Sequence, residues 1–464
     1  MEMKKTEIAI LDSGIDENIL ALYGLYDVIQ HSEGHTDDNG DLFMHGTNCA
    51  IIIGWNCANV RLYSYKILDG TGRGDVSALE SALRWCLSNG IRLVNLSFGT
   101  THFKDKGKIL RTINHYANRG LIIVAATANS GYTAYPASFS SVIGVRTADA
   151  FGTDDESLCN RGVDFTAPSQ HEFQLADKRI LLQRNNSYAA PYVTAMIGQL
   201  LAMKEDANVW QIKKQLYLKA GKDCVQYVPD WIENGWIFQN KLISKADVYF
   251  DVVKEAENAD TVILYDGNEV EKYNDKHIVY LGRETIEEPD TQYFFWSRKN
   301  RETQIERSRE KNENINIPVI ILRLDSGQDV IWWLTELRKC FEVEGYNAYT
   351  VSSETESVLY YLEYIPLDAD TCVRNKIVDF IYWQTYYNQS DLIVCGMKKN
   401  EKDIFNGYAE IFIEIENRGE KTDIVVYCDG IKRTQICFEA IGEKEIREVY
   451  NCLIVFLTED EDEQ

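Results

Sequence analysis

No run of about 18 apolar residues occurs in this 464-residue chain, so no segment is built to cross a membrane as a helix. None of the 11 cysteines stands in a C-x-x-C pair or other paired spacing, which argues against structural zinc and a disulfide framework. Free, mostly buried thiols in a reducing compartment are expected instead. The G-x-x-x-x-G-K-[ST] phosphate loop is missing, even from the strand–turn–helix stretch Ile321–Val330. Internal repeats and low-complexity tracts are missing too. A net basic charge is lacking, since 72 Asp+Glu outnumber 48 Lys+Arg, which disfavours nucleic acid as a partner because phosphates need a basic surface. The leader Met1–Lys5 runs straight into Ile8-Ala9-Ile10-Leu11, an apolar stretch too short, and broken too early by Asp12, for a secretory signal. No folding pro-segment is expected ahead of it. A cytoplasmic protein is the expectation.

Apolar residues make up 45% of the chain, enough for ordinary globular cores and too many for wholesale disorder. The length suggests two or more domains. Charge divides them. Residues 1–221 hold 21 Lys+Arg and 23 Asp+Glu, while residues 222–464 hold 27 and 49, so nearly all of the net −24 lies in the second half. That half ends in Glu459–Glu463. It reads as a solubilising surface or as a docking face for a basic peptide or protein partner.

Residues 1–221 alternate strand and helix patterns. Glu7–Leu11, Leu62–Leu68, Leu93–Leu96, Leu121–Ala126 and Val142–Val145 read as strands. His45–Ile53, Val76–Ser88 and Ser187–Ala202 read as helices. This alternation predicts an α/β fold, a parallel sheet with helices on both faces and functional residues at the carboxyl ends of its strands. Residues 222–317 form a connector or small α/β region, with strands at Thr261–Tyr265 and Ile278–Leu281 and a charged, helix-like connector over Ser297–Asn314. Residues 318–464 read as a second α/β domain with an acidic tail. Its strands are Val319–Leu324, Ala348–Val351, Leu392–Cys395, Ile424–Cys428 and Leu453–Leu457, with a helix over Val330–Val343. Trp332-Trp333 suits an aromatic core or a binding surface.

Four residues have the chemistry of peptide-bond cleavage, which needs a nucleophile, an imidazole base, an orienting carboxylate and donors for an oxyanion. Asp12 follows a strand in Leu11-Asp12-Ser13-Gly14. His45 opens a small-residue helix in His45-Gly46-Thr47. Asn129 follows a strand in Ala126-Thr127-Ala128-Asn129-Ser130-Gly131. Ser187 starts a helix in Asn186-Ser187-Tyr188-Ala189-Ala190-Pro191, where Pro near the first turn needs no donor and the helix dipole favours a nucleophile. Singly, each has a plainer reading: a turn Asp, a structural His, a turn Asn, an N-cap Ser.

Together and in this order, these motifs resemble the subtilisin-like serine peptidases (subtilases, peptidase family S8) over about residues 5–221. Linking segments match as well: Lys66–Gly74, Asn95–Gly99, Tyr135–Ala137 and Asp164–Pro168. The resemblance implies a subtilisin-like fold and a serine endopeptidase with Asp12, His45 and Ser187 as catalytic triad. It implies Asn129 and the Ser187 N–H as oxyanion donors. It implies that Gly70, Gly72 and Gly74, with Ser97, Phe98 and Gly99, belong to two strands that clamp an extended peptide. Ala128 and Ala134 would wall the primary specificity pocket, which then suits a modest apolar side chain. No cofactor is implied. No metal is implied either, because the short stretch from Cys49 to Arg61 leaves no room for the calcium loop of many secreted relatives. Cys49 shares a helix face with His45. The chain departs from the family where Asn185-Asn186 replaces Gly-Thr before the nucleophile. There the Asn186 amide offers an auxiliary oxyanion donor in place of the Thr hydroxyl.

Three functions fit: a cytoplasmic processing or maturation peptidase whose second half docks the substrate, for example removing the leader of a ribosomally made peptide; a general intracellular degradative peptidase; or a catalytically weak, subtilase-fold binding protein. The partner expected in each is a peptide or protein, without membrane insertion.

Overall fold

The structure is a computed structural model and describes residues 5–31, 44–153, 163–175, 178–222, 228–289, 291–311, 313–401, 404–405 and 407–458. Two compact units divide the chain. The first comprises residues 1–226, 230–233 and 291–294, the second residues 227–229, 234–290 and 295–464.

Short strands, most of them buried, and helices on both faces build the first unit. Its strands are β1 (Thr6–Asp12), β2 (Val28–His31), β3 (Val60–Lys66), β4 (Leu93–Leu96), β5 (Ile122–Ala126), β6 (Ile143–Thr147), β7 (Gly152–Thr153) and β8 (Phe165–Ala167). They form one sheet in the order β2-β3-β1-β4-β5-β6-β8-β7, parallel except for β7 against β8. β4 and β5 are buried at every position, as strands covered on both faces must be. The helices are α1 (Glu17–Leu22), α2 (His45–Asn56), α3 (Val76–Ser88), α4 (Lys106–Ala117), α5 (Asn186–Met203) and α6 (Val209–Lys219). α3 shows why the sequence folds so: Asp75 caps it by accepting from the Ala78 N–H at 2.8 Å, and it buries Leu79, Ala82, Leu83 and Cys86 at helical spacing. α5, rich in small residues, packs on β1, β4, β5, β6 and α2. A hairpin of β9 (His171–Leu175) and β10 (Lys178–Leu182) precedes α5.

β1 sits inside the sheet. The strand order runs outward from it to β3 and β2 on one side and to β4, β5 and β6 on the other. Such a reversal opens a crevice at the carboxyl ends of the strands.

Two features fasten the first unit. Lys213 of α6 meets Asp164 at 2.9 Å, each side chain 4% exposed, and Asp164 also accepts from Gly144 N–H and the Tyr217 hydroxyl. Burial holds the Asp164 carboxyl above its usual range against the pull of Lys213. Residues 230–233 and 291–294 also pack here, beyond the 221/222 boundary read from the sequence. Asn114 donates to the Asp230 carbonyl at 2.7 Å, Ser140 N–H donates to the Asp230 carboxylate at 3.0 Å, and Phe294 stacks on Trp231.

The second unit holds two sheets, which fall either side of residue 317. β11 (Asn234–Ile237), β12 (Asp251–Val252), β13 (Thr261–Leu264), β14 (His277–Tyr280) and β15 (Phe295–Ser297) are all parallel, in the order β12-β11-β13-β14-β15. After α7 (Arg298–Glu306) come β16 (Val319–Leu324), α8 (Val330–Glu344), β17 (Ala348–Ser352), β18 (Glu363–Tyr364), α9 (Thr371–Asn388), β19 (Leu392–Lys398), β20 (Ile411–Arg418), β21 (Lys421–Cys428), β22 (Ile431–Phe438) and α10 (Glu443–Thr458). The second sheet runs β18-β17-β19-β16-β20-β21-β22, with antiparallel pairing only from β20 to β22.

Two readings change here, and one that was left open is settled. Leu453–Leu457 is the end of α10 rather than a strand, because Ile446, Val449, Tyr450 and Leu453 are buried at helical spacing while Val455 is 50% exposed. The charged stretch after Ser297 is helical only to Glu306, and Ser297 itself ends β15. Trp332 and Trp333 belong to the core, 9% and 1% exposed, with Lys245 Nζ over the Trp332 ring at 3.4 Å. The acidic end Glu459–Glu463 lies outside the described residues. No helix among the described residues is long and apolar enough to cross a membrane.

Candidate active site

Asp12 is the last residue of β1, at the carboxyl edge of the sheet, and is 1% exposed. Its Oδ1 accepts from Ser13 N–H at 2.8 Å and from Ser13 Oγ at 3.1 Å. His45 Nδ1 lies 2.8 Å from Oδ1 and 3.0 Å from Oδ2. A buried carboxylate with these partners favours the tautomer with the proton on Nδ1, which makes Nε2 the basic nitrogen. The two motifs meet through glycine. A Cβ on Gly46 would stand 2.1 Å from the Gly14 carbonyl oxygen, so only glycine lets α2 approach the β1 turn this closely. Gly46 N–H donates to Ser13 Oγ at 3.3 Å, tying the His motif to the carboxylate's own support.

Ser187 is the second residue of α5, and the N-cap is Asn185, not Ser187. Asn185 has φ −158° and ψ 140°, extended backbone that any residue adopts, so the departure from Gly costs nothing in backbone shape. Pro191 is the sixth helical residue, deeper than the first turn expected. It lacks the N–H that would bond the Ser187 carbonyl. The Cys49 thiol approaches that carbonyl at 3.8 Å and donates to Ser97 Oγ at 3.3 Å. Tyr188, which follows the nucleophile, stacks on His45 with ring centroids 5.6 Å apart, and Asn48 holds the Tyr188 hydroxyl at 3.1 Å. His171 Nε2 hydrogen-bonds the Tyr188 carbonyl at 3.0 Å, and burial pushes this imidazole below its usual range. Asp12, His45 and the Ser187 turn are thus gathered at one edge. Sequence reasoning missed the supports Ser13, Asn48, Tyr188 and His171; the first three lie within three residues of a triad member, which was the available signal.

The oxyanion region carries one finding and one correction. Asn129, exposed after β5, is held by its own carbonyl: its Oδ1 accepts from Asn186 N–H at 3.0 Å. Its Nδ2 donates to Asn185 Oδ1 at 3.1 Å, and Ser187 N–H donates to the same oxygen at 2.9 Å. Asn186 is 4% exposed and spent on the backbone, donating to the Ala128 carbonyl at 3.0 Å and accepting from Thr147 N–H at 2.9 Å. It is a brace rather than an auxiliary oxyanion donor.

The peptide-clamping segments also differ from expectation. Gly70, Gly72 and Gly74 lie in a turn, not a strand, because Asp69 Oδ1 gathers Thr71 N–H, Thr71 Oγ1 and Arg73 N–H within 3.0 Å. These bonds pull the Asp69 carboxyl down to about 2. Ser97, Phe98 and Gly99 continue past β4 without a strand partner, and Thr100 then pairs with Tyr135. A Cβ on Gly99 would meet the Tyr135 carbonyl at 2.7 Å. Ala128 is half-buried and Ala134 is 1% exposed. Asp12, His45 and Cys49 bring a carboxylate, an imidazole and a thiol within 4.8 Å of one another, though His45 Nδ1 already occupies both carboxylate oxygens. A cavity of about 330 Å³, bordered by Lys5, Thr6, Leu93 and Glu205, lies at the opposite, amino-terminal edge of the strands.

Similarity to known proteins lies in the first half or so of the chain. The subtilase family matches residues 3–246. The minor extracellular protease Epr of Bacillus subtilis is 28% identical over 279 residues, covering 53% of this chain and 41% of Epr. Thermitase of Thermoactinomyces vulgaris is 26% identical over 221 residues, covering 44% of this chain and 77% of thermitase. Among solved structures, a cold-adapted subtilisin-like serine proteinase aligns at TM-score 0.36 and 20% identity, over 45% of this chain and 79% of its own. A lanthipeptide protease aligns at TM-score 0.36 and 20% identity, over 45% and 78%. With its ordered Asp, His and Ser motifs gathered at one sheet edge and a family match over more than half its length, this chain belongs to the subtilase family.

Proposed function

We propose that the protein is a serine endopeptidase that works through an acyl-enzyme. The observation that carries this reading is the Asp12–His45 contact at 2.8 Å, beside the α5 turn that bears Ser187. His45 Nε2 takes the Ser187 Oγ proton as Oγ attacks the peptide carbonyl carbon. Asp12 fixes the tautomer and stabilises the imidazolium. Asn129 Nδ2 and Ser187 N–H receive the oxyanion. The tetrahedral species expels the amine, which takes its proton from His45, and water activated by the same imidazole hydrolyses the ester. The test is peptide cleavage with trapping of the acyl-enzyme. Cleavage should vanish in Ser187→Ala and fall about 10⁴-fold in Asp12→Asn. Unchanged cleavage in Ser187→Ala would overturn the reading.

We further propose that it matures a peptide precursor in the cytoplasm, such as one carrying a leader, and that the acidic second half docks a basic segment of that substrate. The net −22 of residues 222–464 supports docking, and the free thiols Cys372 and Cys437, both exposed, support a reducing compartment. Cleavage of a peptide with a basic flank should weaken with ionic strength, while cleavage of a neutral one should not. Equal salt responses would remove the docking role.

A further inference from the structure

We propose that the Asn185 side chain occupies the oxyanion site of the free enzyme and must be displaced by the substrate carbonyl, so that it gates the reaction. The inference rests on the peptidase reading above. Two N–H groups assigned to the oxyanion, Asn129 Nδ2 and Ser187 N–H, both point at one atom, Asn185 Oδ1, at 3.1 and 2.9 Å. Those are the distances at which such donors hold an oxyanion. A neutral amide carbonyl therefore sits where the charged oxygen would form.

The donors themselves are fixed. Asn129 Oδ1 is held by Asn186 N–H, and the Asn186 amide is clamped between the Ala128 carbonyl and Thr147 N–H. Only Asn185 has to move. It is half-buried and its extended backbone stays compatible with the helix start after its side chain has swung away. A glycine here would leave the two donors open. Asn185 instead makes an entering carbonyl compete with two hydrogen bonds, which favours substrates bound through many other contacts over small generic ones.

The test is the rate at which a fluorophosphonate probe labels Ser187 in the full chain. Asn185→Gly should label about tenfold faster than wild type, the equivalent of one net hydrogen bond. Glycine caps helices only slightly less well than Asn, so folding should survive. Asn185→Asp keeps shape and cap but puts a charged oxygen on the same donors, and should label more slowly than wild type. A capping role alone would leave both rates unchanged. Labelling only after Asn185→Gly would support a complete block. Equal rates in wild type and Asn185→Gly would overturn the gate and leave the peptidase reading standing. Absence of Ser187 labelling in both would sink the two together. If Asn185→Gly fails to fold, Asn185→Asp decides: a rate equal to or above wild type overturns the gate.

Discussion

Asp12, His45 and Ser187 owe their relation to short local devices. Ser13 supplies two of the donors to Asp12, Asn48 steadies the ring of Tyr188, and Tyr188 lies against His45. Asn129 differs: its amide holds Asn185 Oδ1 in the free protein and, in the proposed reaction, serves the negative charge that develops on the substrate oxygen. Asn129→Ala should therefore lower kcat about 10²–10³-fold with little change in KM, as loss of one oxyanion donor does. A rise in KM at constant kcat would mean that Asn129 only binds the ground state. Steady-state kinetics on one peptide, with circular dichroism to confirm folding, makes the distinction.

Elements set where these side chains meet. α2 reaches the β1 turn only because residue 46 has no Cβ. Gly46→Ala would place a methyl 2.1 Å from a backbone carbonyl, so α2 must shift and the His45–Asp12 contact must lengthen. Loss of activity in a still-folded protein is expected; wild-type activity would show that the approach is not needed. α6 is fastened by Lys213. Lys213→Met would strand the Asp164 carboxylate and should destabilise the first unit by about 3–5 kcal/mol in a denaturant titration. The triad motifs and strands such as β1, β4 and β5 were legible because each is a local pattern of a few residues. The convergence of Asn129 and Ser187 on Asn185 was not, since it joins positions 56 residues apart through side-chain rotamers. α10 was misread for a related reason. Leu453–Leu457 is a β-prone apolar run, and only the burial of Ile446, Val449 and Tyr450 upstream marks the helical face.

Taken whole, the molecule is two compact units with very different charge. The charge contrast was plain in the sequence. The return of residues 230–233 and 291–294 to the first unit was not, because it depends on Trp231 and Phe294 finding a shared core. Asp230 gives this packing a pH signature. Burial raises its carboxyl from 3.8 to about 6. The folded state therefore holds the proton more tightly than the unfolded one. That stabilisation is complete below about pH 4 and is lost as pH rises through about 6. Asp230→Asn should match wild type at low pH and exceed it by up to about 3 kcal/mol near pH 8. Hydrogen exchange of peptides carrying Asn114 and Ser140, measured between about pH 5 and 8, follows the difference once chemical exchange rates are corrected. A constant difference across that range would show that Asp230 ionises as freely in the folded protein as in the unfolded chain.

The most direct test of the triad is mass spectrometry of the full chain after fluorophosphonate treatment, in wild type and Asn185→Gly, with peptide mapping of the adduct. One adduct on Ser187, lost in His45→Ala, is the predicted result. A folded protein with no adduct in either form, or an adduct on another serine, would contradict the assignment of Ser187 as a nucleophile activated by His45.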